Sequence, residues 1–136
     1  MDCLFCSIAA GDIPATIIDS DDASVAFLDI EPFQDGHTLV IPRNHVTSVL
    51  DDDGELGRIS PMVTKVARRL VDSLGASGVN VVSNAGEVAG QSVHHLHVQI
   101  IPRSDREPGI NAIRSAMPRR ALEEVAAMVT GESNRK

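Results

Sequence analysis

Residues 90–103 read GQSVHHLHVQIIPR and place His94, His95 and His97 within four positions. In a strand, alternate side chains share a face. His95, His97 and Gln99 then point one way, and Leu96, Val98 and Ile100 point the other way, into a core. His94 falls on the opposite parity and reads as a packing or edge residue. A half-exposed strand with a polar outer face accounts for a single histidine. Two histidines and an amide, preceded by the glycine-rich loop NAGEVAGQS, point instead to a site. A neutral imidazole can attack phosphorus and form a covalent phospho-histidine. Loop glycines such as Gly90 let backbone N–H groups approach an oxyanion, and Gln91 and Ser92 add side-chain donors. An ordinary hairpin connection has the same composition, so the loop alone does not decide.

Cys3 and Cys6 form a second cluster of reactive types. Their spacing suits metal binding or redox chemistry better than a structural disulfide, and two buried small residues are the plain alternative. A structural zinc needs about four ligands. His45, in IPRNH, is a candidate third.

The elements that must carry these residues follow from pattern. Residues 4–10 suit one or two helical turns, stopped by Gly11 and Pro14. Residues 15–20, 23–30 and 37–42 read as strands, with EPFQDG (31–36) as a loop. Apolar residues at 56, 59, 62, 63, 66, 67, 70, 71 and 74 form a helix stripe. Acids precede it and Gly75 ends it; Pro61 inside it predicts that the long helix starts there, after a separate first turn. Residues 78–84 and 93–102 are two more strands, 103–117 a loop, and 119–129 a terminal helix with a tail. The order β-β-β-α-β-β-α implies an α+β fold with an antiparallel five-stranded sheet. One domain over residues 1–136 is expected, with the motif-bearing part at about 3–103 and the C-terminal helix and tail at 118–136.

Composition narrows the function classes. The net charge of -7 argues against nucleic acid as a general partner, since duplex binding draws on many Lys and Arg contacts. It does not exclude a small anion held by backbone N–H groups. Hydrophobic residues make up 43%, enough for a core without staples, and with aromatics at 2% that core rests on Ile, Leu, Val and Ala. The stretch MDCLFCSIAAGDIP has no long apolar core, and no run of about 18 apolar residues occurs. A cytoplasmic protein with no membrane partner is expected.

The stretches CLFCSIAAGDIP, AFLDIEPFQDGHTLVIPRNH, NAGEVAGQSV and HHLHVQIIPR together resemble the histidine triad (HIT) superfamily, in its small Hint-like bacterial branch. They span roughly residues 3–103, about three quarters of the chain. The resemblance implies a purine nucleotide-binding protein that cleaves or transfers at the α-phosphate. It maps the nucleophile to His97, with His95, Gln99 and a supporting His37 as the other catalytic positions. It maps the ribose-holding acid to Asp29, the ribose and phosphate positions to Asn84, Gln91 and Ser92, and the base pocket to Ile8, Phe27 and Leu28. It implies a structural zinc on Cys3, Cys6, His45 and His95, and a homodimer that joins two sheets. The stripe from Leu56 to Leu74 suits burial in either a core or a dimer.

The departure from the family signature is Gln99, where most small members carry a third histidine. An amide can donate to a phosphoryl oxygen, but it cannot take a proton or carry charge at neutral pH. The expected substrates are nucleoside phosphoramidates, acyl-nucleotides or dinucleoside polyphosphates. The alternatives are a phosphorylase or nucleotidyltransferase using phosphate as acceptor, a low-activity nucleotide-binding regulatory module, and a zinc-stabilised interaction protein.

Overall fold

A computed structural model describes residues 3–104 and 120–131. The elements are α1 (Leu4–Ala10), β1 (Ile17–Ser20), β2 (Ser24–Leu28), β3 (Thr38–Pro42), α2 (Glu55–Leu74), β4 (Gly78–Val82), a 3-10 turn (Glu87–Ala89), β5 (Val98–Arg103) and α3 (Leu122–Thr130). The five strands form one sheet in the order β1-β2-β3-β5-β4, with every pair antiparallel. The expected α+β fold with a five-stranded antiparallel sheet, one long helix and a C-terminal helix is the observed one. The expected loop at 103–117 and the tail lie largely outside the described residues.

Strand alternation divides the core in two. Ala26, Val40, Val98 and Ile100 face α2 and pack with Ile59, Met62, Val66 and Leu70. Val25, Phe27, Leu39 and Ile41 face the other way and pack with Phe5 and Ile8 of α1. The central strands are therefore covered on both faces, which is why SVAFL and TLVIP read as continuous apolar runs. Burying an Ile, Leu, Val or Phe side chain contributes about 1.5–3 kcal/mol, so the two clusters supply most of the driving force.

The stripe of α2 is a core stripe at its centre, whereas Leu56 and Leu74 at its ends stay exposed. The helix does not start at Pro61. It runs unbroken from Glu55, whose N–H is capped by the Asp52 carboxylate, as is that of Leu56. Pro61 deprives the Gly57 carbonyl of its helical donor, but both residues are exposed and water can take that place. Four buried apolar residues along the other face outweigh the local cost.

The predicted last strand also shortens. Residues 93–97 are not in the sheet; β5 begins at Val98. The Leu96 N–H goes to the Val46 carbonyl, in the loop after β3, at 2.7 Å instead of to a strand neighbour. His95 and His97 thus lie on the irregular lead-in to β5, and Gln99 lies within it, opposite Leu39 of β3 and Val82 of β4.

Gly36 closes the turn that delivers His37 to the start of β3. Its φ is +88°, and a Cβ there would collide with Leu74 and come within 3.2 Å of Pro102. Gly36→Ala is expected to destabilise the fold by about 1–3 kcal/mol, read as a lower urea midpoint. An unchanged midpoint would show that the turn is not constrained in this way.

Candidate active site and metal centre

Two imidazoles on the β5 lead-in are oriented by backbone carbonyls. His95 Nε2 donates to the Pro42 carbonyl at 2.9 Å, and His97 Nδ1 donates to the His95 carbonyl at 2.8 Å. A carbonyl only accepts, so each bond fixes a tautomer. His95 keeps a lone pair on Nδ1, and His97 keeps one on Nε2. Both side chains are buried, and Phe5 of α1 packs edge-on against each ring, 6.0 Å from His95 and 5.1 Å from His97 between centroids. Ser83 Oγ donates to the His97 carbonyl at 2.7 Å, which ties the lead-in to the end of β4.

The bare Nδ1 of His95 faces Cys3 Sγ at 3.4 Å, Cys6 Sγ at 3.5 Å and His45 Nδ1 at 3.1 Å. Cys6 Sγ lies 3.3 Å from His45 Nδ1, and all four ligand atoms fall within 4.8 Å of one another. Cys3 is the N-cap of α1, accepting from the Cys6 N–H, so the first turn of that helix brings the two sulfurs together. This cluster can hold a metal ion. Burial pushes the His95 pKa down, with the neighbouring imidazoles acting in the same direction, and so favours the neutral form that a metal ligand must have. Burial and the neighbouring Cys3 push the Cys6 thiol up; a dication among the four donors would reverse that sign.

His97 opens onto a cavity of about 670 Å³. Its apolar walls come from Leu4, Phe5, Ile8, Ile13, Phe27, Leu28, Leu39 and Val93, and its polar ones from Asp29, Asn84, Gly90, Ser92, His37 and Gln99. Size and lining suit one small ligand with an apolar part and a polar part. Asp29 follows β2; its Oδ1 accepts from the Glu31 N–H at 2.9 Å, and its Oδ2 lies 3.6 Å from His37 Nε2. His37 is buried, stacked under the Phe33 ring, and bonded to Gln99 at 2.9 Å.

Of the residues expected at a nucleotide site, Ile8, Phe27, Leu28, Asp29, Asn84, Gly90 and Ser92 line this cavity together with His37, His97 and Gln99. Gln91 stands apart. Its Oε1 accepts from the Gly86 N–H, and its amide nitrogen donates to the Thr47 and Val93 carbonyls, so it braces the loop and ties it to the segment after β3. His94 points to solvent, 3.9 Å from Glu87. Phe5 and Phe33 were not among the expected residues. Phe5 had a signal, since it lies three residues before Ile8 on one helix face; for Phe33, exposed on one side and stacked on His37 on the other, the loop sequence carries none.

The HIT domain family matches residues 10–106, about seven tenths of the chain. The chain belongs to the HIT domain family. Protein hit of Bacillus subtilis is 44% identical over 112 residues, covering 82% of this chain and 77% of that one. Adenosine 5'-monophosphoramidase hnt1 of Schizosaccharomyces pombe is 40% identical over 111 residues, covering 81% and 80%. The crystal structure of SMU.412c from Streptococcus mutans superposes with a TM-score of 0.84 at 34% identity, covering 98% of this chain and 84% of that one. The matched HIT region contains His37, His45, His95, His97 and Gln99, whereas Cys3 and Cys6 precede it.

Proposed function

We propose that this HIT protein is a purine nucleotide hydrolase or nucleotidyl transferase of the Hint-like bacterial branch, acting at the α-phosphate through a nucleotidyl-histidine on His97. The observation that carries the reading is the His97 tautomer. Its Nδ1–H is committed to the His95 carbonyl, so the bare Nε2 is the nitrogen available to attack phosphorus. A nucleophile of this kind beside a nucleotide-sized cavity is what such a reaction requires. The phosphoramidase activity in the name of the S. pombe relative supports the reaction class.

In this reading the base enters between Ile8, Phe27 and Leu28, and the ribose hydroxyls bond to Asp29. Asn84 and Ser92 receive the non-bridging phosphate oxygens beside Gly90, whose own N–H is held by the Glu87 carbonyl at 2.9 Å, and Gln91 holds their loop in shape. Substrates are nucleoside phosphoramidates, acyl-nucleotides or dinucleoside polyphosphates. His97→Ala is expected to lower kcat by at least about 10³-fold while nucleotide still raises the melting temperature. Undiminished turnover in that variant would remove the mechanism.

The metal in this reading is zinc. Tetrahedral S₂N₂ coordination at ordinary bond lengths separates donor atoms by about 3.3–3.8 Å; four of the six separations here run from 3.1 Å to 3.5 Å, and all lie within 4.8 Å. Cys3, Cys6, His45 and His95 would hold it, tying α1, the loop after β3 and the nucleophile's segment to one point. The chemistry it supplies is structural cross-linking. The protein is expected to retain about one zinc per chain, and Cys6→Ser to lose it with a fall in melting temperature. Full occupancy in Cys6→Ser would contradict the site. The reading also includes a cytoplasmic homodimer that joins two sheets; the edge position of β4, with Val81 exposed, supports it.

A further inference from the structure

We propose that Gln99 is a hydrogen-bond donor of fixed polarity, and that it restricts this site to nucleotides whose leaving group departs as an anion. The inference rests on the nucleotidyl-histidine reading above and narrows its substrate class. It starts from a backbone group. The Phe33 N–H points at His37 Nδ1 at 3.2 Å, and an N–H can only donate. His37 Nδ1 is therefore the bare nitrogen, and the ring proton sits on Nε2. That proton faces Gln99 Oε1 at 2.9 Å, which settles which end of the amide is which. Gln99 Oε1 is spent on His37, and its NH₂ is what remains to offer the cavity that it lines.

The polarity cannot reverse cheaply. His37 is buried, and Phe33 stacks on it with ring centroids 5.2 Å apart and the planes inclined by 27°. Rotating the amide would set NH₂ against the Nε2–H, and moving the ring proton to Nδ1 would set it against the Phe33 N–H. The second leaves a buried donor unpaired, at a cost of about 1–3 kcal/mol, and the first leaves the Nε2–H only the Asp29 carboxylate at 3.6 Å, beyond hydrogen-bond reach.

The consequence is chemical. His97 Nε2 forms a bond to the α-phosphorus, the bond from phosphorus to the leaving atom breaks, and its electron pair leaves with that atom. Water then attacks phosphorus, the P–N bond breaks with its pair returning to Nε2, and the water proton passes to solvent. An amide NH₂ can stabilise a phosphoryl oxygen but has no proton to transfer at neutral pH. His37 is committed at both nitrogens, and Asp29 and Glu31 on the cavity wall are acceptors when ionised. Carboxylate, phosphate or sulfate can depart without help. An amine must gain a proton as it leaves, and general acid catalysis of that step is worth about 10²–10⁴-fold. Acyl-nucleotides and polyphosphates are thus favoured over phosphoramidates.

The test compares the full-length protein with free imidazole at the same pH, on two probes: the p-nitrophenyl ester of AMP and an alkylamide of AMP. The expected ester-to-amide ratio of kcat/KM matches the rate ratio for imidazole within about tenfold, because among the described residues none that lines the cavity has a proton to give the amine. Gln99→His is expected to shrink the ratio by about tenfold or more by raising amide turnover. A native ratio levelled by about 10²-fold relative to imidazole, with cleavage still abolished by His97→Ala, would overturn this inference alone. Cleavage that survives His97→Ala, or no cleavage of either probe, would overturn the parent reading and this one with it.

Discussion

A buried imidazole must pair its N–H, and the partner it finds decides where its lone pair points. In this HIT protein the partners are main-chain carbonyls. Pro42 takes the proton of His95 on Nε2, and His95 takes that of His97 on Nδ1. Two histidines two residues apart are thereby set in opposite tautomers. One offers Nδ1 to the cysteines, and the other keeps Nε2 for the cavity. The cluster that can hold a metal ion and the bare imidazole nitrogen beside the cavity are two outcomes of one constraint, and the carbonyl that orients His97 belongs to a residue of that cluster.

The same device recurs across the site. The Phe33 N–H chooses the bare nitrogen of His37, and His37 in turn orients Gln99. Each polarity is set by main chain, and the main chain is held by the sheet and its covering helices. Phe5 transmits that rigidity most directly, filling the space between α1 and both imidazole rings. Gly36 permits the turn that lays His37 against β3, under the end of α2. The large apolar terms in the two core clusters thus hold smaller polar geometries in place.

Much of this was legible in the sequence, and the limits have physical causes. The stripe of α2 and the apolar runs of β2 and β3 announced themselves because burial dictates residue type at every turn or alternate position. Pro61 misled because its cost is local, whereas the packing of Ile59, Met62, Val66 and Leu70 is tertiary. Parity along HHLHVQ grouped His95 with His97 and Gln99, of which only His97 and Gln99 line the cavity. Only Gln99 of the three lies in β5; His95 and His97 sit on an irregular segment anchored by the Leu96 N–H, His95 turned to the cysteines and His97 to the cavity. Gln91 reads as a substrate ligand because an amide beside a glycine-rich loop suits either role; its bonds to Gly86 and Val93 and across to Thr47, 44 positions away, are not encoded locally. The pairing of Cys3 with His95 spans 92 positions and entered only through the family resemblance.

The central claim is that backbone carbonyls hold His95 and His97 in opposite tautomers. Long-range proton–nitrogen correlation spectra of uniformly ¹⁵N-labelled protein at neutral pH read this directly. The expected spectrum shows His95 protonated on Nε2 with Nδ1 bare or metal-bound, and His97 protonated on Nδ1 with Nε2 bare. A spectrum with His97 protonated on Nε2, or with both rings in the same tautomer, would contradict the account.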